Sequence, residues 1–210
     1  MVMFKDRVEA GQKLAQKLLK YAEDAQAIVI GLPRGGVVVA YHCAQALRLS
    51  WDLIAVRKVG MPWQPECALG AVGHEGTVKI DQRLVAMGNL EKEDLHALIK
   101  DQQQEAQRRM QVYRPERPPL DLKNKKVILV DDGIATGATM EVAVKVVRKM
   151  QPESVIVAVP VLPKDAVAKF AKAADELSFV EAPEVFYAVG EFYQDFEQVT
   201  DEQVIALMNG

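Results

Sequence analysis

Cysteine is nearly absent from this 210-residue chain. Cys43 and Cys67 are its two, without the paired spacing of a zinc ribbon or a redox motif. That removes a disulfide scaffold and points to a reducing, cytoplasmic compartment. Histidine is almost as scarce, and His42, His74 and His96 stand apart without ligand spacing, so no dedicated protein metal site is expected. Apolar runs such as "VIVAVPVL" fall far short of the roughly 18 residues of a membrane span. The N-terminal stretch "MVMFKDRVEAGQKLAQKLL" puts charges where a signal peptide needs an apolar core. A dominant charge sign is missing too. Net charge is -3, which provides no basic field for nucleic acid, so neither nucleic acid nor membrane is an expected partner. Two phosphate-loop signatures are also lacking. No G-x-x-x-x-G-K-[ST] occurs, because Ala138 follows Gly137 and no lysine comes after it, and G-x-G-x-x-G does not occur either. ATP hydrolysis and hydride transfer lose their usual supports.

What is present is an ordinary globular composition, half apolar and about a quarter charged, read as a single domain over residues 1–210. The apolar spacing of Phe4 to Tyr21 predicts an amphipathic helix. "AIVIGL" (Ala27 to Leu32) predicts a buried strand, Gly35 to about Leu49 a helix, and "DLIAV" (Asp52 to Val56) a second strand. A loop punctuated by glycine and proline follows, then a small antiparallel insertion from "LGAVG" and "TVKI". Leu90 to Tyr113 reads as a long helix with a thin apolar stripe of Leu95, Ile99, Ala106 and Met110, suited to an arm or a subunit contact. Beyond the polar linker "RPERPPLDLKNKK" come strand (Lys126 to Val130), helix (Thr136 to Met150), strand (Ser154 to Val161) and helix (Lys164 to Ala174). This alternation predicts an α/β fold with a parallel sheet covered on both faces. The aromatic tail reads as a cap on that sheet.

The densest chemistry lies in "VILVDDGIATGATM", Val127 to Met140. A parallel strand would deliver Asp131 and Asp132 at its C-terminal end, where open α/β sheets bind ligands. Gly133 and Gly137 let the loop curl, and a helix beginning near Thr136 would leave its first N–H groups unpaired, a site for phosphate. Thr136 and Thr139 add hydroxyl donors. The carboxylates repel that phosphate and instead suit a neighbouring diol or an approaching metal ion. Phosphate beside vicinal hydroxyls describes a ribose 5-phosphate.

These residues closely resemble the phosphoribosyl diphosphate (PRPP) motif of type I phosphoribosyltransferases. The resemblance extends over most of the chain, including the stretches "LPRGG", "VRKVG" and "VGEFYQDF". It implies a phosphoribosyltransferase-type parallel sheet flanked by helices. The core would span about 25–175, a lid and helical arm about 60–120, and a small hood about 1–22 and 180–210. It further implies that Ala135, Thr136, Gly137, Ala138 and Thr139 cradle the PRPP phosphate and that Asp131 and Asp132 hold the ribose diol. By the same resemblance Arg34, Gly35, Gly36, Arg57 and Lys58 bind the diphosphate. In this family the loop carrying the first of these often has an unusual peptide conformation. Gly60 to Gly73 would be a flexible lid, with Trp63 at its tip either covering the site or merely packing, and Glu66 as one candidate for handling the acceptor's proton. Mg²⁺ would be the cofactor, carried by PRPP near Asp131 and Asp132 and not ligated by the protein directly.

The implied reaction is transfer of ribose 5-phosphate from PRPP to a nitrogenous, nucleobase-like acceptor with release of diphosphate. A non-catalytic PRPP-binding regulator is the alternative, disfavoured because no DNA-binding helical module or basic face is evident. One departure is informative. Members acting on 6-oxopurines carry an Asp where this chain has Ala135, which argues against hypoxanthine or guanine. Phe186, Tyr187, Phe192, Tyr193 and Phe196 in the hood either stack on a planar acceptor or seal the cap. The family also makes a homodimer an expectation, with the stripe from Leu95 to Met110 as a candidate contact.

Overall fold

Five short strands rich in β-branched and aliphatic residues are the backbone of the molecule, and the order in which they pair creates the crevice where a ligand would bind. The computed structural model describes residues 3–115 and 117–210; the side chains of residues 65–67 lie outside the description. In chain order the elements are α1 (Arg7–Gln16), β1 (Ala27–Gly31), α2 (Gly35–Leu47), β2 (Ser50–Leu53), β3 (Val56–Met61), β4 (Gln64–Gly73), β5 (Val78–Ile80) and α3 (Gln82–Met87). There follow α4 (Lys92–Tyr113), β6 (Lys126–Val130), α5 (Ala138–Lys149), β7 (Ser154–Val161), α6 (Lys164–Ala173), β8 (Glu176–Glu181) and α7 (Asp201–Asn209).

The main sheet has the order β2-β1-β6-β7-β8, with every pair parallel. From β1 the chain moves outward to β2, then returns to place β6 on the other side of β1. Such a reversal opens a crevice beyond the C-terminal ends of the two strands. Side chains along β6 alternate between two cores, as a pleat requires. Val127 and Leu129 join the cluster beneath α5 and α6, while Ile128 and Val130 join the one beneath α1 and α2.

A second sheet, β3-β4-β5, is antiparallel. The stretch expected to be a flexible lid is therefore a paired hairpin: Val56 to Val59 pair with Gly73 to Gly70 in unbroken register before a bulge at Gly60. Glycine and proline in "GMPWQPECALGAVG" suggested a loop, but the β-capable residues on either side decide the pairing. The arm helix α4 lays Leu95, Leu98 and Ile99, which stay partly buried, on Val59, Met61, Leu69 and Val72 of this small sheet.

Other boundaries also moved. The first helix is α1 followed by a short 3₁₀ turn at Leu19–Tyr21, and Phe4 instead bridges to Tyr193. Strand β2 ends at Leu53, because Ile54 and Ala55 carry the chain across to the second sheet. Helix α5 starts at Ala138 and not at Thr136, since Gly137 has a left-handed φ of 80° that ends any earlier helical turn. Strand β8 was not anticipated at all.

Candidate active site

Two strand-to-helix loops face each other across the β1/β6 crevice. After β1 the chain passes through a cis peptide between Pro33 and Arg34 and enters α2 at Gly35, with no side chain capping the helix. The resemblance called for an unusual peptide conformation in this loop. After β6 it passes Asp131 and Asp132 and enters α5 from Gly137, again without a side-chain cap. Helix N-termini without caps leave N–H donors for a ligand and carry partial positive charge.

The two loops touch. A Cβ on Gly36 would lie 2.6 Å from Asp131 Oδ1 and 2.7 Å from the Asp131 Cα, and one on Gly35 would run into Asp132 Oδ2. The double glycine is needed so that α2 can begin against the acidic pair.

The two carboxylates have different surroundings. Asp131 lines a cavity of about 230 Å³ together with Lys58, Ala135, Thr136, Gly137 and Thr139. Its Oδ1 accepts from the Asp132 backbone N–H at 2.9 Å. Burial, reinforced by the charge of Asp132, holds the Asp131 carboxyl well above the usual carboxylate range. Asp132 is turned toward the N-terminal helix, where Arg7 Nε donates to its Oδ2 at 2.8 Å; the two side chains are 11% and 16% exposed. Burial raises Asp132 as well, opposed by the Arg7 guanidinium. Arg7 also donates from Nη1 to the Glu197 carbonyl at 2.8 Å and lies 3.9 Å over the Phe196 ring. Tyr193 donates its hydroxyl to the Asp132 carbonyl at 2.5 Å.

Arg7 is the site residue that sequence reasoning missed. It is separated from Asp132 by 125 residues. One local signal was available: Arg7 is the first residue of α1, immediately after the N-cap Asp6, where the helix dipole disfavours a cation. A cation in that position needs an anion from elsewhere in the fold.

The basic residues divide. Lys58 reaches the cavity beside Asp131. Arg57 does not line it; its Nε donates to Gln102 of α4 at 3.1 Å, and burial followed by the nearby Arg109 charge lowers its pKa. Arg34 lies 3.5 Å from Asp201 at the start of α7. Ala138 begins α5 and lines a neighbouring cavity of about 310 Å³ with Lys79, Glu141 and Lys169. Trp63 occupies the β3–β4 turn, 63% exposed, with its ring close to Gly88. The Glu66 side chain lies outside the described residues.

The hood aromatics also separate by role. Phe186 and Tyr187, the latter 81% exposed, line a cavity of about 400 Å³ next to Ala135 and Thr136, with Asp165 and Lys169 of α6. Phe192 is buried, Tyr193 is tied to Asp132, and Phe196 lies under Arg7. These three seal the cap. A larger groove of about 540 Å³ between α1 and α7 shares only Arg7 with the acidic pair.

A parallel sheet with this reversal, an acidic pair at its centre strand and paired anion-ready loops defines a class. The chain belongs to the phosphoribosyl transferase domain family, whose model matches residues 4–196. Among individual relatives, the Mycobacterium tuberculosis protein named "Putative phosphoribosyl transferase Rv0571c" is 41% identical over 209 residues, which cover 100% of this chain and 47% of that one. The chain thus spans about half the length of the curated relatives it matches first. The crystal structure of TT1426 from Thermus thermophilus superposes with a TM-score of 0.80 at 41% identity, covering 99% of this chain and 98% of that one. A 61-residue stretch is 43% identical to the ribose-phosphate pyrophosphokinase of Pyrococcus furiosus, covering 28% of this chain and 22% of that protein.

Proposed function

We propose that the chain transfers ribose 5-phosphate from PRPP to a ring nitrogen of a planar acceptor and releases diphosphate. The observation that carries this reading is the meeting of two uncapped helix N-termini at the β1/β6 crevice, with Asp131 between them and Lys58 alongside. In this reading the amides and hydroxyls of Ala135 to Thr139 take the 5-phosphate, and Asp131 orients the ribose hydroxyls. Lys58, Arg34 and the amides of Gly35 and Gly36 take the diphosphate.

The bond from the anomeric carbon to diphosphate oxygen breaks, a bond to the acceptor nitrogen forms, and the acceptor's proton departs. Positive charge develops on the ribose ring, so positioning and electrostatics dominate the rate. Among the described residues no group of three or more His, Cys, Asp and Glu is placed to hold a metal ion. Mg²⁺ would arrive on the donor's oxygens near Asp131 and Asp132, the carboxylates at the end of β6, and would supply charge to the departing diphosphate. The cavity lined by Phe186 and Tyr187 is the acceptor's place in this scheme, and Ala135 at its edge keeps the 6-oxopurines disfavoured.

Calorimetric titration with PRPP and Mg²⁺, followed by a diphosphate-release screen across nucleobases and related acceptors, tests the proposal. Expected are saturable binding that Asp131→Asn weakens and release with at least one acceptor. A folded protein that does not bind PRPP would refute the donor assignment; binding with no release from any acceptor would favour a PRPP-binding regulator.

A further inference from the structure

The cavity of about 400 Å³ that the acceptor would fill is bordered by Ala135 and Thr136, which also line the cavity of Asp131 and Lys58. A ring held there lies beside the place of the ribose. Helix α6 contributes the charged part of the lining, Asp165 and Lys169, and Phe186 and Tyr187 contribute the aromatic part.

Asp165 and Lys169 stand four residues apart on α6, the spacing at which an acid and a lysine on one helix ordinarily pair. Here they do not. The Lys169 ammonium pairs with Glu141 of α5 and donates to the Thr136 carbonyl at 3.5 Å. Lys164, the neighbour of Asp165 in sequence, pairs with Glu184. Both lysines are thus committed to other carboxylates, and among the described residues the Asp165 carboxylate has no hydrogen-bond or ion-pair partner. The helix dipole explains why an acid suits the first turn of α6, but it does not direct Lys169 elsewhere.

The other polar groups of this wall narrow the choice. The Tyr187 amide donates to Glu191 at 3.4 Å, and Pro163 has no N–H. Outside the loop reserved for the 5-phosphate, the uncommitted side chains are a carboxylate, which only accepts, and the Tyr187 hydroxyl, which does either.

We infer that Asp165 selects the acceptor by accepting from an exocyclic amino group. The acceptor class is then the amino-substituted nitrogen heterocycles, and a ring with an oxo or carboxylate group on that edge meets a like-signed oxygen. This inference rests on the phosphoribosyl-transfer reading above.

Calorimetric titration with Mg²⁺–PRPP, then steady-state diphosphate release with adenine, hypoxanthine, cytosine and uracil, tests it on the parent, Asp165→Ala and Asp165→Asn. Asp165 is exposed, so both variants are expected to fold. In the parent, the amino ring of at least one amino/oxo pair should exceed its oxo partner about tenfold or more in kcat/KM. Losing a charge-assisted hydrogen bond predicts a fall of about 10- to 100-fold for that ring in Asp165→Ala, carried by KM. The oxo ring and PRPP affinity should stay within about threefold, since Asp165 is absent from the lining of the cavity that holds Asp131. Asp165→Asn, whose amide both donates and accepts, should narrow the preference or reverse it. Oxo rings used as well as amino rings in both pairs, release with none of the four rings, or a preference that survives Asp165→Ala overturns the role of Asp165. A parent protein that does not bind PRPP overturns the donor reading beneath it.

Discussion

Replacing Arg7 by methionine keeps an unbranched stem and removes the charge that faces Asp132. Three contacts go together: the 2.8 Å pair with Asp132, the 2.8 Å bond to the Glu197 carbonyl and the stacking on Phe196. Breaking one side of a buried ion pair costs roughly 3–5 kcal/mol, because the remaining charge is left without compensation. The Arg7 and Asp132 side chains keep 11% and 16% exposure, which places this pair at the low end. The other two contacts are each worth about 1 kcal/mol but are not additive with the first. A loss of about 3 kcal/mol is expected, equivalent to a fall of about 6–12 °C in Tm for a chain of this size. Differential scanning calorimetry and denaturant titration at pH 7 would measure it. The decisive assay is the double-mutant cycle with Asp132→Asn, which removes the orphaned charge. The double variant should be about 2 kcal/mol more stable than the sum of the single losses predicts. Arg7→Met within about 0.5 kcal/mol of the parent, or a strictly additive cycle, would refute the reasoning.

Asp131→Asn should raise the denaturation midpoint at pH 7 while weakening PRPP binding. The Asp131 carboxyl is raised by burial and by its neighbour's charge, so its ionised form disfavours the fold at neutral pH. As pH falls through the raised value toward the ordinary carboxylate range, the parent becomes protonated and the variant's advantage should shrink; an advantage independent of pH would contradict this. Gly36→Ala should destabilise by about 1–2 kcal/mol, because overpacking at about 1–3 kcal/mol outweighs the about 0.5–1 kcal/mol that alanine contributes in a helix. The atoms in the way, the Asp131 Cα and the Val130 carbonyl, are backbone and cannot turn aside; a neutral or stabilising result in urea titration would show that the two loops tolerate separation. In a Trp51→Phe background, Mg²⁺–PRPP should shift the Trp63 emission to shorter wavelength if the β3–β4 hairpin bends over the crevice, and unchanged emission at saturation would remove Trp63 from any lid role.

Much of this architecture was legible because central parallel strands advertise themselves. β6 and β7 have the bounds read from the chain, and β1 ends one residue short, since strands buried on both faces are nearly unbroken apolar runs. Strand β8 alternates in "ELSFVE" and lies at the sheet edge, where the apolar signal is weaker. The hairpin of β3 and β4 was obscured by its own glycines and prolines, which punctuate a turn and bulge within a paired ladder. Around the site, the loop from Asp131 to Thr139 could be read because its donors are consecutive in sequence. The partners of Asp132 could not, because Arg7 and Tyr193 come from the two ends of the chain and only the fold makes them neighbours. The arm helix was read for its apolar stripe, and the ion pairs of Glu105 with Arg108 and Arg109 were not anticipated, because acidic and basic residues at helical spacing ordinarily mark a solvated face.

The clamp on Asp132 has a dynamic consequence. The Phe4 amide donates to the Phe192 carbonyl at 2.7 Å and the Gln194 amide to the Phe4 carbonyl at 2.8 Å, while Arg7 and Tyr193 both end on Asp132. The segments around Phe4 and Gln194 and the acidic pair are thus linked, and their amides are expected to open to hydrogen exchange together. A ligand that draws the Asp132 carboxylate away from Arg7 would loosen residues near Phe4 and near Gln194 in concert, so occupancy of the crevice can be followed from amides that never touch the ligand.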